Sequence, residues 1–287
     1  MKKLLPSVLK ELWQTVDEER FTSEQYHCEK ERLLDECRSI WSRALILDGE
    51  RSLKESLLRE LGAYAGCDDL AEVERRCKLG AKSAEDEWHR CVGSEDERSI
   101  ERFYDQTQAY LYDLTWWHTL IEDDGPLAYL IALRFAQQHG CTRYMDFGAG
   151  ISSGGILFAR HGLQVASADI SSSLLRFSQW RFERRGLSAE MIDLKERQLP
   201  HAAFDFVTAM DVWEHLVDPV GTVNQIATTL CAGGFLYGRF ALAPDDERPQ
   251  HIVHNFEPVF QRLRALGFTQ VWEDDWLWGH RVFQKVG

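Results

Sequence analysis

The 287-residue sequence contains no Cys-x-x-Cys pair, no low-complexity tract, no internal repeat and no concentration of basic residues. Its seven cysteines (Cys28, Cys37, Cys67, Cys77, Cys91, Cys141 and Cys231) are scattered. An odd, unpatterned set argues against a disulfide framework or a zinc site and fits reduced thiols in a cytoplasm. No segment approaches the roughly 18 apolar residues of a membrane span. The start, "MKKLLPSVLKELW", resembles a leader for a few residues, but Pro6, Lys10 and Glu11 interrupt it. Lys and Arg number 33 against 46 Asp and Glu, a formal charge of -13 spread over both halves. A nucleic-acid partner needs clustered cations to replace counterions, so this balance disfavours one. The nearest candidate, "RFERRG" (Arg181 to Gly186), reads as the solvated end of a helix.

What is present changes character along the chain. Up to about Asp124, apolar residues recur at three- and four-residue spacing in "LLPSVLKELWQTV", "SEQYHCEKERLLDECRSIWSRALIL", "SLKESLLRELGAYA" and "DLAEVERRCKLGAKSAEDEWHRCV". This is helical periodicity, and the Glu and Arg rows between are read as solvated faces. Ser23 and Ser94 are the expected N-caps. Asp123-Asp124-Gly125-Pro126 then breaks the pattern. A helix over "LAYLIALRFAQQHG" precedes seven short apolar runs: "CTRYMDF", "GLQVASAD", "AEMID", "FDFVTAMD", "GGFLYGRFAL", "FTQVWEDD" and "HRVFQKV". Strands spaced by helices predict βαβ units in a mostly parallel sheet with helices on both faces. The last two runs, joined by "WLWG", are too close for a crossover helix and predict an antiparallel edge pair. Two regions follow: residues 1–124, helical, and residues 125–287, α/β.

The first strand runs into "GAGISSGG", which puts Gly148, Ala149 and Gly150 at a strand's carboxyl end, where open α/β sheets bind ligands. Glycines there allow close approach, and free amides at the next helix start can face a ligand. Asp146 stands two residues before the first glycine. The second strand ends in Asp169, about 20 residues on, where a nucleotide fold carries its ribose-binding acid. A plain tight turn explains neither acid.

These residues resemble the class I S-adenosylmethionine-dependent methyltransferases. "YMDFGAG" is similar to their first motif and "VASADIS" to their second strand with its ribose acid. "FDFVTAMDVWEHLVDPVGTVNQIATTLCAGGFLYGRF" resembles their fourth strand, following helix and fifth strand, with "DVWEHLVDP" fitting a D-x-x-E-H-x-x-D-P pattern. The resemblance covers roughly Ala128 to Gly287 and implies a Rossmann-like, doubly wound, seven-stranded sheet. It implies S-adenosylmethionine as cofactor, with Asp146, Phe147, Gly148, Ala149 and Gly150 at its methionine part and loop, and Asp169 with Ile170 at the ribose. Asp193 would lie near the adenine amino group, Leu194 on the ring, and Met210 and Asp211 facing the cofactor.

On the acceptor side, His215 follows Asp211 by four residues, one turn if a helix begins at the strand end. "HIVHNFEP" adds His251 and His254 in the crossover where family acceptors sit. His-x-x-His also suggests a metal, but spacing places no third ligand, so none is assigned. Asp211, His215, His251 and His254 are the catalytic candidates. Upstream, "ERFYDQTQAYLYDLTWWHTL" gathers aromatics. The resemblance implies a lid with Tyr104 and Tyr110 touching cofactor, while Trp116 and Trp117 read as packing.

Ser152 occupies the place of the third glycine in the commonest loop. "GAGISSG" therefore also fits a G-x-G-x-x-x-G nicotinamide loop, against which stands Asp146, whose charge would repel a pyrophosphate. The expected activity is methyl transfer to a small-molecule metabolite. Other readings are a protein or peptide methyltransferase, an NAD(P)-dependent oxidoreductase and a non-catalytic binder of adenosyl ligands. The N-terminal helices are where acceptor selectivity or a homodimer contact would be built.

Overall fold

The computed structural model describes residues 3–18, 20–92, 97–120, 125–240, 249–253, 255–274, 276 and 278–287. The helical half comprises α1 (Leu5–Asp17), α2 (Ser23–Leu45), α3 (Leu53–Ala65), α4 (Leu70–Lys78), α5 (Gly80–Cys91), α6 (Glu97–Gln106) and α7 (Ala109–Trp116). Two local readings need correction. The cap of α2 is Thr22, not Ser23: its hydroxyl accepts from the Gln25 amide at 3.1 Å, and the Gln25 side chain accepts from the Thr22 amide at 2.8 Å. This reciprocal box satisfies two amides that the helix itself leaves open. Ser94 lies outside the described residues. The run read as one helix from Asp69 onward is two, parting at Leu79, because Gly80 must pass close to α7. A Cβ at Gly80 would stand 2.6 Å from both the Cα and the N of Asp113.

After α8 (Gly125–Gln138) come β1 (Arg143–Phe147), α9 (Ser153–Arg160), β2 (Gln164–Asp169), α10 (Ser172–Arg184), β3 (Glu190–Asp193) and β4 (Phe204–Ala209). Then follow α11 (Pro219–Thr229), β5 (Leu230–Arg239), α12 (Glu257–Ala265), β6 (Phe268–Glu273) and β7 (His280–Lys285). The seven strands lie in the order β3-β2-β1-β4-β5-β7-β6. The first five are parallel, and β7 inserts antiparallel between β5 and β6. Met145 on β1 sits between Ala166 and Val207, all three buried, because helices cover both faces. Strand order reverses between β1 and β4, which opens a crevice at their carboxyl ends.

The apolar interior does not stop at the expected boundary after Asp124, itself outside the described residues. One cluster joins Leu9, Trp41 and Leu45 of the first helices to Ile131 of α8 and to Tyr144 and Phe158 beside the sheet. Another joins Leu61, Cys77 and Leu111 to Ile151 and Phe177. The opposite face of the sheet has its own cluster, with Met145, Trp213, Ile226 and Phe283. The helical half is thus packed into one face of the sheet and onto its first loop.

The expectation of a solvated "RFERRG" holds for Glu183, Arg184 and Gly186, which are exposed, but not for its other two arginines. Arg181 and Arg185 are buried and share Glu60 of α3, with side-chain exposures of 1%, 0% and 1% respectively. Arg185 donates to both Glu60 oxygens and, at 2.6 Å, to the Leu45 carbonyl, while Arg181 donates to Glu60 at 3.2 Å. Burial works against the Glu60 charge, but the two guanidiniums outweigh it and hold its carboxyl below the usual range. Periodicity placed these charges on helix faces; only tertiary packing decided which face was covered.

Candidate active site

The glycine loop carries the local strain that a close backbone approach requires. Gly148 and Gly150 have φ of 70° and 53°, and Ser152, the departure noted above, has φ of 54°. A side chain in that left-handed region costs roughly 1 kcal/mol. Ser152 is fully buried, and its hydroxyl has no hydrogen-bond partner among the described residues. The loop is held from outside: Asp169 accepts from the Gly150 amide (2.8 Å) and the Ser171 amide (2.8 Å). Arg181 donates to the Ile151 carbonyl (2.5 Å) and to the Ser153 hydroxyl (2.9 Å).

Asp146 is fully buried and accepts from Thr208 at 2.7 Å and Tyr129 at 3.2 Å, both through Oδ1. Its Oδ2 is buried with no hydrogen-bond partner among the described residues. Burial pushes its pKa up to about 7, against hydrogen bonds from Thr208, Tyr129 and Tyr144 and with a further push from Asp169. Asp169 is also raised, by burial first, despite the amides that favour its charged form. Two carboxylates so placed have the chemistry to accept from a cationic or hydroxyl-bearing group; each Asp169 oxygen keeps a further lone pair beyond its amide bond.

At the end of β3, Asp193 accepts from Ser172 (2.5 Å) and from the Lys195 amide (3.0 Å), so it closes a turn there. Lys195 was not singled out in the sequence. Its ammonium donates to Asp105 of α6 (2.6 Å), to Ser172 (2.8 Å) and to the Ile170 carbonyl, tying the helical half to the ends of β2 and β3. Leu194 and Ile170 are half-buried there. Phe147, Ala149 and Met210 are buried, Met210 in the cluster shared with the first helices.

The segment from Glu101 to Leu120 lies over this edge. Leu114 of α7 covers the loop so closely that a Cβ on Gly150 would stand 2.8 Å from its Cδ1. The Thr119 hydroxyl lies 2.8 Å from that of Ser153. Tyr104 and Tyr110 stack with centroids 5.9 Å apart and planes 9° off parallel. Tyr104 turns toward the acceptor side: its hydroxyl lies 2.9 Å from His215 Nδ1 and donates to the Gln250 carbonyl at 3.3 Å. Trp116 packs beneath Lys54 and Lys78, whereas Trp117, read as packing, is 43% exposed.

The helical-turn argument linking Asp211 to His215 fails. Asp211 sits at φ 51°, a short 3-10 turn spans Trp213–His215, and α11 begins only at Pro219, capped by Asp218. The two residues share the crevice by loop geometry instead. Asp211 accepts from Arg239 at 3.1 Å and lies 3.9 Å from His118 Nδ1. Burial opposes its charge, but Arg239 and the neighbouring histidines hold its carboxyl below the usual range. His215 is the reverse case: burial, then the neighbouring His251, lowers it to about 4, so it is neutral near pH 7. His251 is brought to it because the Ile252 and Val253 amides both donate to the Glu214 carbonyl, at 2.8 and 3.0 Å. The His215 and His251 rings meet edge to face with centroids 4.8 Å apart. One donor atom each of Glu214, His215 and His251 lies within 4.8 Å of the others, a grouping that could hold a metal. His254 lies outside the described residues.

Residues 145–238 match the family model described as a methyltransferase domain. With the sheet order and the loop above, this portion of the chain is similar to a class I S-adenosylmethionine-dependent methyltransferase domain. Among curated relatives, the chain is similar to the ubiquinone biosynthesis O-methyltransferase of Albidiferax ferrireducens, 32% identical over 138 residues, which are 42% of this chain and 52% of that one. The enzyme of the same name from Ralstonia nicotianae is 32% identical over 101 residues, 33% of this chain and 41% of its own length. The chain thus spans about half the length, or less, of these relatives. Among solved structures, phosphoethanolamine N-methyltransferase 2 of Haemonchus contortus aligns with a TM-score of 0.47 at 24% identity, over 60% of this chain and 45% of that one.

Proposed function

We propose that the chain transfers a methyl group from S-adenosylmethionine to a small-molecule acceptor. The observation that carries this reading is the pair of buried carboxylates flanking the glycine loop, Asp146 with its unpartnered Oδ2 and Asp169 at the end of β2. A cationic, ribose-bearing cofactor answers both; a pyrophosphate would be repelled by Asp146. Bound there, the cofactor supplies an activated methyl on a positively charged sulfur. The protein's part is to hold and align. Asp146 faces the amino-acid end, Asp169 the ribose, Asp193 and Leu194 the adenine, and Leu114 with Thr119 covers the loop and excludes water. The acceptor then falls on the far side of Asp211, among His118, His215 and His251. The net charge of -13 supports a small acceptor rather than a nucleic acid.

Calorimetry with S-adenosylhomocysteine and with NADH tests the reading. Saturable binding of the former alone is expected, weakened at least about tenfold by Asp169→Ala through loss of charge-assisted hydrogen bonds. Binding of NADH alone would sink it. Incubation with labelled S-adenosylmethionine and a small-molecule cell extract then identifies the acceptor.

A further inference from the structure

We infer that Glu214, His215 and His251 form a binding site for one divalent transition-metal ion of the zinc class. Spacing alone offered only the His251-x-x-His254 pair, which lacks a third ligand. The fold supplies the missing donors from another loop: residues 252 and 253 pair with the Glu214 carbonyl and so carry His251 to the Glu214-His215 turn. The three donor atoms lie within 4.8 Å of one another. Two imidazoles and a carboxylate suit a borderline ion, and three protein ligands leave positions open for another oxygen.

A second observation fixes one ligand's chemistry. His215 Nδ1 lies 3.0 Å from the Gln250 carbonyl, which can only accept, so the proton resides on Nδ1 and the lone pair on Nε2. The Tyr104 hydroxyl, 2.9 Å from the same nitrogen, accepts from it and donates to Gln250 in turn. A carbonyl that sets tautomer and ring orientation is the outer support that metal-binding histidines characteristically have. The site faces the crevice beside Asp211. On the methyltransferase reading, the open positions would take an acceptor oxygen, so the acceptor class is a hydroxyl or phenol.

The test uses the full chain, stripped with chelator and titrated with Co2+ while visible absorption is followed. Zn2+ is then added to displace the Co2+. One equivalent of Co2+ per chain, displaced by Zn2+, is expected. His251→Ala and Glu214→Gln should each weaken it by about tenfold or more, while His201→Ala, on the exposed surface, should not. Absence of the cobalt spectrum overturns the site, as does unchanged affinity in either ligand variant. S-adenosylhomocysteine binding, measured on the same samples, checks that each variant is folded and keeps the two readings apart. Cofactor binding without metal removes only the metal site, and metal binding without cofactor removes only the methyltransferase reading.

Discussion

Asp146 is the residue whose ordinary chemistry the fold changes most. With its pKa pushed up to about 7 by burial, it is half protonated at neutral pH before any ligand arrives. A cationic group docking on Oδ2 favours the ionised form. Below pH 7, docking must therefore release a proton, and affinity should rise with pH through that value. From pH 6 to pH 8 the ionised fraction grows about tenfold, so S-adenosylhomocysteine should bind about tenfold more tightly at pH 8. Calorimetry at the two pH values checks this, and Asp146→Asn should flatten the dependence. Stability runs the other way. The folded state holds a proton that the unfolded chain releases near pH 4, so the apoprotein loses stability as pH rises from about 4 to about 7. At this scale the sequence showed that a carboxylate stands before the glycines, but not its protonation. That depends on Thr208, Tyr129 and Tyr144, which the sheet and α8 deliver from 62, 17 and 2 positions away.

Elements were more legible than their contacts. All seven strands, and the antiparallel final pair, follow from short apolar runs separated by helix-length stretches, because a parallel strand buried on both faces announces itself by composition. The break between α4 and α5 did not, since helical periodicity continues through Leu79 and only the close crossing with α7 demands it. Gly80 is the residue that permits the crossing, and a methyl group there would press on the Asp113 backbone at 2.6 Å. Gly80→Ala should cost about 1–3 kcal/mol despite alanine's better helix propensity, the usual penalty for overpacking. Urea unfolding measures it, and a stabilised variant would show that the two helices do not meet as described. The Asp211 to His215 spacing misled for a related reason: four residues make a turn of helix only if a helix is there, and Pro219 with Asp218 places its start further on.

Across the whole molecule, the Glu60, Arg181 and Arg185 cluster joins the helical half to the cofactor loop. No pattern in the sequence marks it, since two arginines and a glutamate on helix faces resemble any solvated row. Arg181 reaches the Ile151 carbonyl and Ser153 with one end of its guanidinium and Glu60 with the other. Glu60→Gln leaves two buried cations without their counter-charge and should cost about 3–5 kcal/mol. Cofactor affinity should fall with it, because the loop's anchor is then unbalanced. Thermal unfolding and calorimetry separate the two effects. Lost stability with unchanged affinity at a temperature where the variant is folded would confine the cluster to a structural role.

The position of β7 has a consequence in time. As the chain leaves the ribosome, β6 emerges before the strand that holds it, and its only strand partner among the described residues is β7. Until then β5 presents an open edge, and β6 has nothing to pair with. A nascent chain paused between them would expose two unpaired strands at once, the state most prone to pairing with a neighbour's copy. Slowed synthesis through the stretch from Phe268 to Lys285 is therefore expected to lower the yield of folded protein.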